Sequence, residues 1–265
     1  MTRTARAPEA ESLGESHTLG MAEMGFAGLS EQWLMRRAGD LHWRLIAGAM
    51  GQAEAVFTCA EGRPLYAAFC ASRLALTDPE APRLGGGLDL ETRLYRVGRS
   101  RLGSLTALRV AGRVIGQLAL VSVFVGRSEG GGNRALVRRA PRVLALPDLT
   151  APDLDRLAAS AARAAAWARA WRPEGRAVTL LPTPSVDFNA AGLLYFPSFA
   201  ALADRASFAA GLSHAAPLRA RAVAYLGNVE QGEPVSVVPI PRRDGGLALV
   251  TGADHRPLAI LRARH

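Results

Sequence analysis

The stretch "VDFNAAGLLYFPSFAALADRA" holds residues whose types and order could do chemistry. Asn189 stands ahead of Gly192 and Leu193, and a helical run follows Leu194 and Tyr195. The start of a helix offers unpaired backbone N–H groups and the positive end of the helix dipole. A thioester carbonyl bound there, gaining charge as an enolate or oxyanion, is stabilised by those groups. Gly192 lacks a Cβ and lets a substrate atom approach the backbone. Gly192 and Leu193 are therefore candidate substrate-binding residues. Asn189, the candidate catalytic residue here, can hydrogen-bond a carbonyl or a carboxylate and hold it in place. It can neither activate water nor act as a base. That favours decarboxylation or acyl transfer over hydrolysis, because a malonyl-type thioester loses CO2 without a base, given an oxyanion site and a desolvated carboxylate. Two other roles stay open. Asn189 can form an Asx-turn that caps the helix, and Asp187 can be that cap or a base displaced by two residues.

The same order occurs earlier in the chain. Gly28-Leu29 precedes Gly192-Leu193 by 164 residues, and Asp40 precedes Asp204 by the same interval. From Ser30 to Met50 the apolar residues Trp33, Leu34, Leu41, Leu45 and Ile46 recur at helical spacing, with Ser30 as N-cap. The start of this first helix is thus a counterpart candidate site. Ser30 is its candidate catalytic hydroxyl, and Gly28 and Trp33 are its candidate substrate-binding residues.

Each helix needs a sheet to hold it. "AEAVFTCA", the turn "EGRP" and "LYAAFCASRLAL" read as a β-hairpin, and two or three further strands fit before the loop "RSEGGGN". "TAPDLDRLAASAARAAAWARAW" reads as an alanine-rich linker helix. Thr150 and Asp153 resemble a capping box there, and Leu154, Leu157, Ala161 and Ala165 form the packed stripe. Strands with glycine-rich turns follow the second helix. The architecture is α+β: a long helix packed on a curved antiparallel sheet, occurring twice.

Composition removes several classes of function. The chain has 265 residues, and its basic residues are all arginine, with no lysine. Nucleoside triphosphatases of the Walker-A type, protein kinases, Schiff-base aldolases and pyridoxal enzymes require a lysine, so they are set aside. The formal charge of +9 comes from arginines spread along the chain rather than clustered beside stacking aromatics. This argues against nucleic-acid binding and suits a substrate that carries phosphates. Arg134, Arg138, Arg139 and Arg142 follow a glycine-rich loop and form either a phosphate site or a solvated face. Cys59 and Cys70 fall in apolar stretches and read as buried free thiols. The five histidines form no zinc or Ser–His pattern, so no metal is expected. No run of 18 apolar residues and no signal-peptide core is present, so no membrane association is expected and the cytoplasm is the default location.

The order of elements is similar to that of the hot-dog fold. Asn189, Gly192, Leu193-Leu194-Tyr195 and Asp204-Arg205-Ala206 resemble the helix motif of hydroxybenzoyl-CoA-type thioesterases. Asn189 stands where those enzymes carry their carboxylate, and Phe196 replaces the histidine that follows the tyrosine in some members. "LGMAEMGFAGLSEQWLMRRAGDLHWRLIA", "RPLYAAFCASRL" and "DFNAAGLLYF" resemble the acyltransferase/decarboxylase of leinamycin biosynthesis and its relatives, over residues 18–265. The resemblance implies a double hot-dog protein: a flexible leader at 1–16, a first hot-dog domain at 17–149, a helical linker at 150–174 and a second hot-dog domain at 175–265. It also implies decarboxylation of methylmalonyl-CoA and transfer of the propionyl group to an acyl carrier protein in polyketide-type biosynthesis. Coenzyme A enters there as part of the substrate and no separate cofactor is implied. A tyrosine serves as acyl acceptor, and Tyr66 is the residue carried over, with Tyr95, Tyr195 and Tyr225 as competitors. Arg93, Arg96, Arg99 and Arg101 are candidate activators of that phenol. The same fold also accommodates a thioesterase, a dehydratase-like lyase, or a non-catalytic module that binds acyl chains or proteins, and a homodimer stays open.

Overall fold

A computed structural model describes residues 12–142, 147–171, 176–212 and 216–265. In chain order the elements are β1 (Ser12–Thr18), β2 (Met24–Gly25), β3 (Gly28–Leu29), α1 (Glu31–Ala49), β4 (Phe57–Thr58), β5 (Pro64–Leu76), β6 (Gly87–Val97), β7 (Arg101–Val110), β8 (Arg113–Arg127), β9 (Leu136–Arg138), α2 (Pro152–Ala170), β10 (Val178–Leu180), α3 (Pro184–Asp187), α4 (Phe196–Ala209), β11 (Ala220–Tyr225), β12 (Val235–Arg242), β13 (Gly245–Gly252) and β14 (Pro257–Arg264).

Alternation builds the sheet. Along β6 every second residue from Leu88 to Leu94 is buried, which a half-buried antiparallel strand requires. Twelve of the fourteen strands of the described residues form one antiparallel sheet whose main path runs β1-β6-β7-β8-β5-β11-β14-β13-β12-β10, with β4 beside β5 and β9 beside β8; β2 and β3 pair as a separate ribbon. The seam between its halves is β5 against β11, from Ala75↔Ala220 to Ala71↔Ala224.

The two long helices lie against the inner face of this sheet, one per half. Ser30 Oγ accepts from the Trp33 amide and caps α1. The buried stripe Leu34, Met35, Ala38 and Leu41 joins Phe69, Leu90, Leu108 and Leu118 in the first core. α4 begins with Pro197 in its first turn, where a missing N–H costs nothing. Its Phe199, Leu202 and Ala206 join Val223, Val235, Val250 and Leu261 in the second. The helices meet at Gly39, where a Cβ would stand 3.0 Å from the Phe196 ring, and at Gln32 Nε2, which donates to Pro197 O at 3.0 Å. Gly28 (φ 122°) and Gly192 (φ 71°) both hold the left-handed backbone ahead of a long helix, so the repeat is real at the level of backbone geometry. This is the double hot-dog architecture.

α2 packs on the outer face and spans the seam. Leu154, Leu157 and Ala158 cover Ala71, Val97, Ala119 and Val121 of the first half. Ala168 covers Ala224, Leu249 and Ile260 of the second. Small side chains on both surfaces let helix and sheet approach closely.

Two expectations need correction. Residues 12–16, placed in a flexible leader, belong to β1, which pairs with β6 from Ser12↔Arg93 to Thr18↔Gly87; residues 1–11 lie outside the described residues. The Thr150–Asp153 capping box does not form. Ala151 is the N-cap and makes no side-chain bond, while Thr150 bridges to Arg96 as an extra piece of sheet.

Candidate active site

The start of α4 faces the first half of the sheet across a cavity of about 930 Å³. Leu65, Tyr66 and Phe69 of β5, Val123 and Val125 of β8, Asn189, Leu193 and Tyr195 ahead of α4, and Tyr225 at the end of β11 with Leu226 to Asn228 after it line it. Trp43, Phe69, Tyr195, Phe196, Phe199 and Tyr225 give its interior an aromatic wall. Arg36, Arg134, Arg138 and Arg256 also line it, and no aspartate, glutamate or histidine does so among the described residues.

Tyr66 stands opposite Val125 in the β5–β8 ladder. Arg127, two residues further along β8, reaches its phenol: Nη1 donates to Tyr66 Oη at 2.9 Å. Nη2 of the same guanidinium donates to Asn133 Oδ1 at 2.9 Å and to Ala191 O at 2.7 Å. Asn133 is buried, and its Nδ2 donates to Gly192 O at 2.7 Å and Val229 O at 2.9 Å. One cation and one amide thus join the first half's tyrosine to the second half's loop.

That loop is locked from within. Asn189 Oδ1 accepts from the amides of Ala191 and Leu193, both at 3.1 Å. Asn228 Oδ1 accepts from Leu194 N at 2.9 Å, and its Nδ2 donates to Leu194 O at 3.1 Å. The Gly192 amide donates to Asn189 O, and the Tyr195 amide to Asp187 O. The amides of Gly192 and Leu193 are therefore spent on the loop, and the expectation that they receive a thioester carbonyl is corrected. Leu193 still lines the cavity. Asn189 does form the Asx-type turn, through Oδ1 alone. Its Nδ2 has no protein acceptor among the described residues, and the residue lines the cavity, so it retains a donor for a ligand.

The remaining candidates separate. Gly28 and Ser30 sit at the start of α1 and line a different cavity of about 660 Å³, with Glu31, Gln32, Asp204, Ser207 and Arg221. They do not meet Tyr66, and Ser30 Oγ is occupied by the Trp33 amide. Trp33 lines neither cavity; it packs on the first core with its ring edge to His17. Asp187 is buried, accepts from Thr183 N at 2.8 Å and faces Arg205 at 3.5 Å, so its carboxylate is tied to α3 and α4 rather than offered to the cavity.

Among the tyrosines, Tyr95 packs under α2. Tyr195 lines the cavity, but burial, with the Asp40 charge adding to it, pushes its phenol up to about 12. Burial also pushes Tyr225 up, and its hydroxyl pairs with Ser72 Oγ at 2.9 Å. Among the described residues, only Tyr66 has an arginine N–H on its oxygen. Cys70 lines the cavity, but burial pushes its thiol up, which disfavours the thiolate. Of the arginine cluster, Arg134 and Arg138 reach the cavity, Arg134 paired to Glu233 at 3.0 Å, whereas Arg139 and Arg142 do not line it. Arg127, Asn133 and Asn228 were not found from sequence; the Tyr66–Arg127 pair becomes visible only with the β5–β8 register.

No protein-family model matches the chain, and no curated protein matches it in sequence. Solved structures do match it in shape. The 12:0-ACP thioesterase of Umbellularia californica is similar at 11% identity, covering 96% of each chain with a TM-score of 0.67. An acyl-ACP thioesterase of Bacteroides thetaiotaomicron is similar at 13% identity, covering 96% of this chain and 97% of its own, with a TM-score of 0.64. A MaoC-like dehydratase of Phytophthora capsici is similar at 13% identity, covering 97% and 95%, with a TM-score of 0.50. At these identities the likeness fixes the fold, and the side chains carry the functional argument. No helix of the described residues is long and apolar enough to cross a membrane.

Proposed function

We propose that this protein is an acyl-thioester enzyme that decarboxylates a malonyl- or methylmalonyl-CoA and transfers the remaining acyl group through Tyr66 to an acyl carrier protein. One observation carries the reading: the cavity holds a tyrosine oxygen bound by arginine and no lining aspartate, glutamate or histidine among the described residues. Hydrolysis of a thioester calls for a group that activates water or attacks as a carboxylate. Decarboxylation calls for donors that hold the carbonyl, and Asn189 Nδ2 is such a donor. The aromatic wall excludes water from a departing carboxylate, and the arginines on the lining suit the phosphates of coenzyme A or of a carrier's prosthetic arm. The likeness to acyl-ACP thioesterases in fold supports a thioester substrate.

The test is incubation with methylmalonyl-CoA and with malonyl-CoA, with and without an acyl carrier protein, followed by intact mass. A propionyl or acetyl adduct on the protein that passes to the carrier supports the reading, as does its loss in Tyr66→Phe. Free acid with coenzyme A and no adduct would make the protein a thioesterase instead. No turnover of any acyl-CoA would make it a binding module.

A further inference from the structure

The cavity at the start of α1 has no part in the reaction proposed above, yet it is built like a binding site. Its volume is about 660 Å³, and Leu29, Leu212, Ile240 and Leu247 give it apolar walls. Both phenylalanines that line it face water: Phe26, in the β2–β3 turn, is fully exposed, and Phe208, near the end of α4, is 75% exposed. Large apolar side chains left in water at the edge of a cavity mark a place for an apolar partner. The polar lining carries more negative than positive side chains, with Glu31 and Asp204 against Arg221. His265 also lines it, its Nδ1 facing Ala216 O at 3.1 Å. Asp204 takes both terminal nitrogens of Arg221, at 3.1 and 2.9 Å. Glu31 is left with the Nε edge at 3.3 Å, a contact whose geometry makes no hydrogen bond. The Glu31 side chain keeps 12% of its surface open. Burial pushes its carboxyl above the usual range against the pull of Arg221, and the Asp204 charge adds to the push. A buried carboxylate so poorly answered is stabilised by a proton or by a bound cation. Next to it in sequence, Gln32 donates Nε2 to Pro197 O and keeps Oε1 as an acceptor.

We infer that this cavity is a second binding site, for an amphipathic amine: an ammonium set against Glu31 and the Gln32 carbonyl, on an apolar body held by Phe26, Phe208 and the aliphatic walls. An ammonium has three donors and no acceptor, which complements a lining rich in free acceptors. The exposed rings add a face that attracts a cation as well as an apolar surface. An anion would meet the Glu31 charge and find the terminal nitrogens of Arg221 already engaged by Asp204. A neutral alcohol of the same shape would fill the apolar part and leave the carboxylate unanswered. The charged residues that line the α4 cavity are all arginines among the described residues. The two ends of the molecule therefore select ligands of opposite charge. The amine site stands whether or not the acyl-transfer reading holds, because it shares no residue with the Tyr66 cavity.

Calorimetric titration of the full chain at neutral pH with three probes of one shape tests this: 2-phenylethylamine, 2-phenylethanol and 3-phenylpropionate. The amine should bind saturably and about tenfold or more tightly than the alcohol or the acid. Equal affinity for amine and alcohol, tighter binding of the acid, or no saturable binding of the amine up to about 10 mM would overturn the proposal. This arm needs no variant, so a folding defect cannot obscure it. Two variants then place the site. Glu31→Gln keeps the size of the side chain and removes its charge. It should weaken the amine about tenfold or more and leave the alcohol within about twofold. Phe26→Ala alters a side chain that lies wholly in water, so the core is undisturbed, and it should weaken amine and alcohol alike by about threefold. Amine affinity unchanged in Glu31→Gln would overturn the role of the charge, and affinity unchanged in both variants would place the ligand elsewhere.

Discussion

The two cavities occupy corresponding places in the two halves, each at the start of a long helix, and each has an arginine nearby, but the arginines keep different company. At the start of α1, Arg221 is buried and grips Asp204 through Nη1 and Nη2 at 3.1 and 2.9 Å, with Glu31 3.3 Å from its Nε. Near the start of α4, the hydrogen bonds of Arg127 among the described residues all go to neutral oxygens, and its guanidinium lies over the Tyr66 ring. One cation is answered by carboxylates; the other donates to a phenol, an amide oxygen and a backbone carbonyl. The same backbone plan therefore yields an ion-paired joint at one end and an arginine-bound phenol at the other.

Substitutions can break this contrast. The largest effect is expected for Tyr66→Phe, which should abolish the protein-bound acyl group, a loss of about a thousandfold or more in transfer if the tyrosine forms the covalent intermediate. Its urea midpoint should barely move, and a similar adduct in the variant would end the comparison. Next comes Arg221→Met. It leaves Glu31 buried without its cation and should cost about 3–5 kcal/mol in urea unfolding. A cost near zero would mean that the ion-paired joint contributes nothing.

Acid should tell the halves apart as well. His42 is buried between Ser104 Oγ and Ser122 Oγ, and burial lowers its pKa to about 3. In the unfolded chain it titrates near 6.5, so stability is full above that value and falls as pH drops below it. At pH 5 the loss is about 2 kcal/mol. Amide exchange should show it in the first half, and His42→Gln should remove it. The smallest effect is expected for Asn189→Asp. A carboxylate keeps the acceptor for Ala191 and Leu193 but lacks the Nδ2 donor, so stability should change by less than about 1 kcal/mol. CO2 release should nevertheless slow about tenfold. Unchanged release would remove Asn189 from the site.

Much of the fold could be read from local pattern. The Ser30 cap and the apolar spacing of Leu34, Leu41 and Leu45 mark α1, and alternation marks β6. The paired Gly28 and Gly192 mark both helix starts, because a left-handed backbone needs glycine. What remained hidden depends on pairing between distant segments. Arg93, Arg96, Arg99 and Arg101 lie nearer in sequence to Tyr66 than Arg127 does, yet β8 lies beside β5 and brings Arg127 to the phenol. Asn133 and Asn228 are polar loop residues whose value comes entirely from the backbone groups they find across the fold. The Asp40–Asp204 match also misleads: Asp40 faces Arg37 on an exposed helix surface, whereas Asp204 belongs to the buried Arg221 pair.

α2 crosses the β5–β11 seam on the outer face and ties one half to the other in a single chain. Two identical subunits meeting along such a seam would be bound by symmetry to carry the same cavity twice. Covalent joining lifts that obligation. Each change in one helix start is inherited without its mirror image, so a substitution at the joint beside α1 need not be repeated at the cavity beside α4. The linker thus turns a symmetric assembly into one whose ends evolve separately.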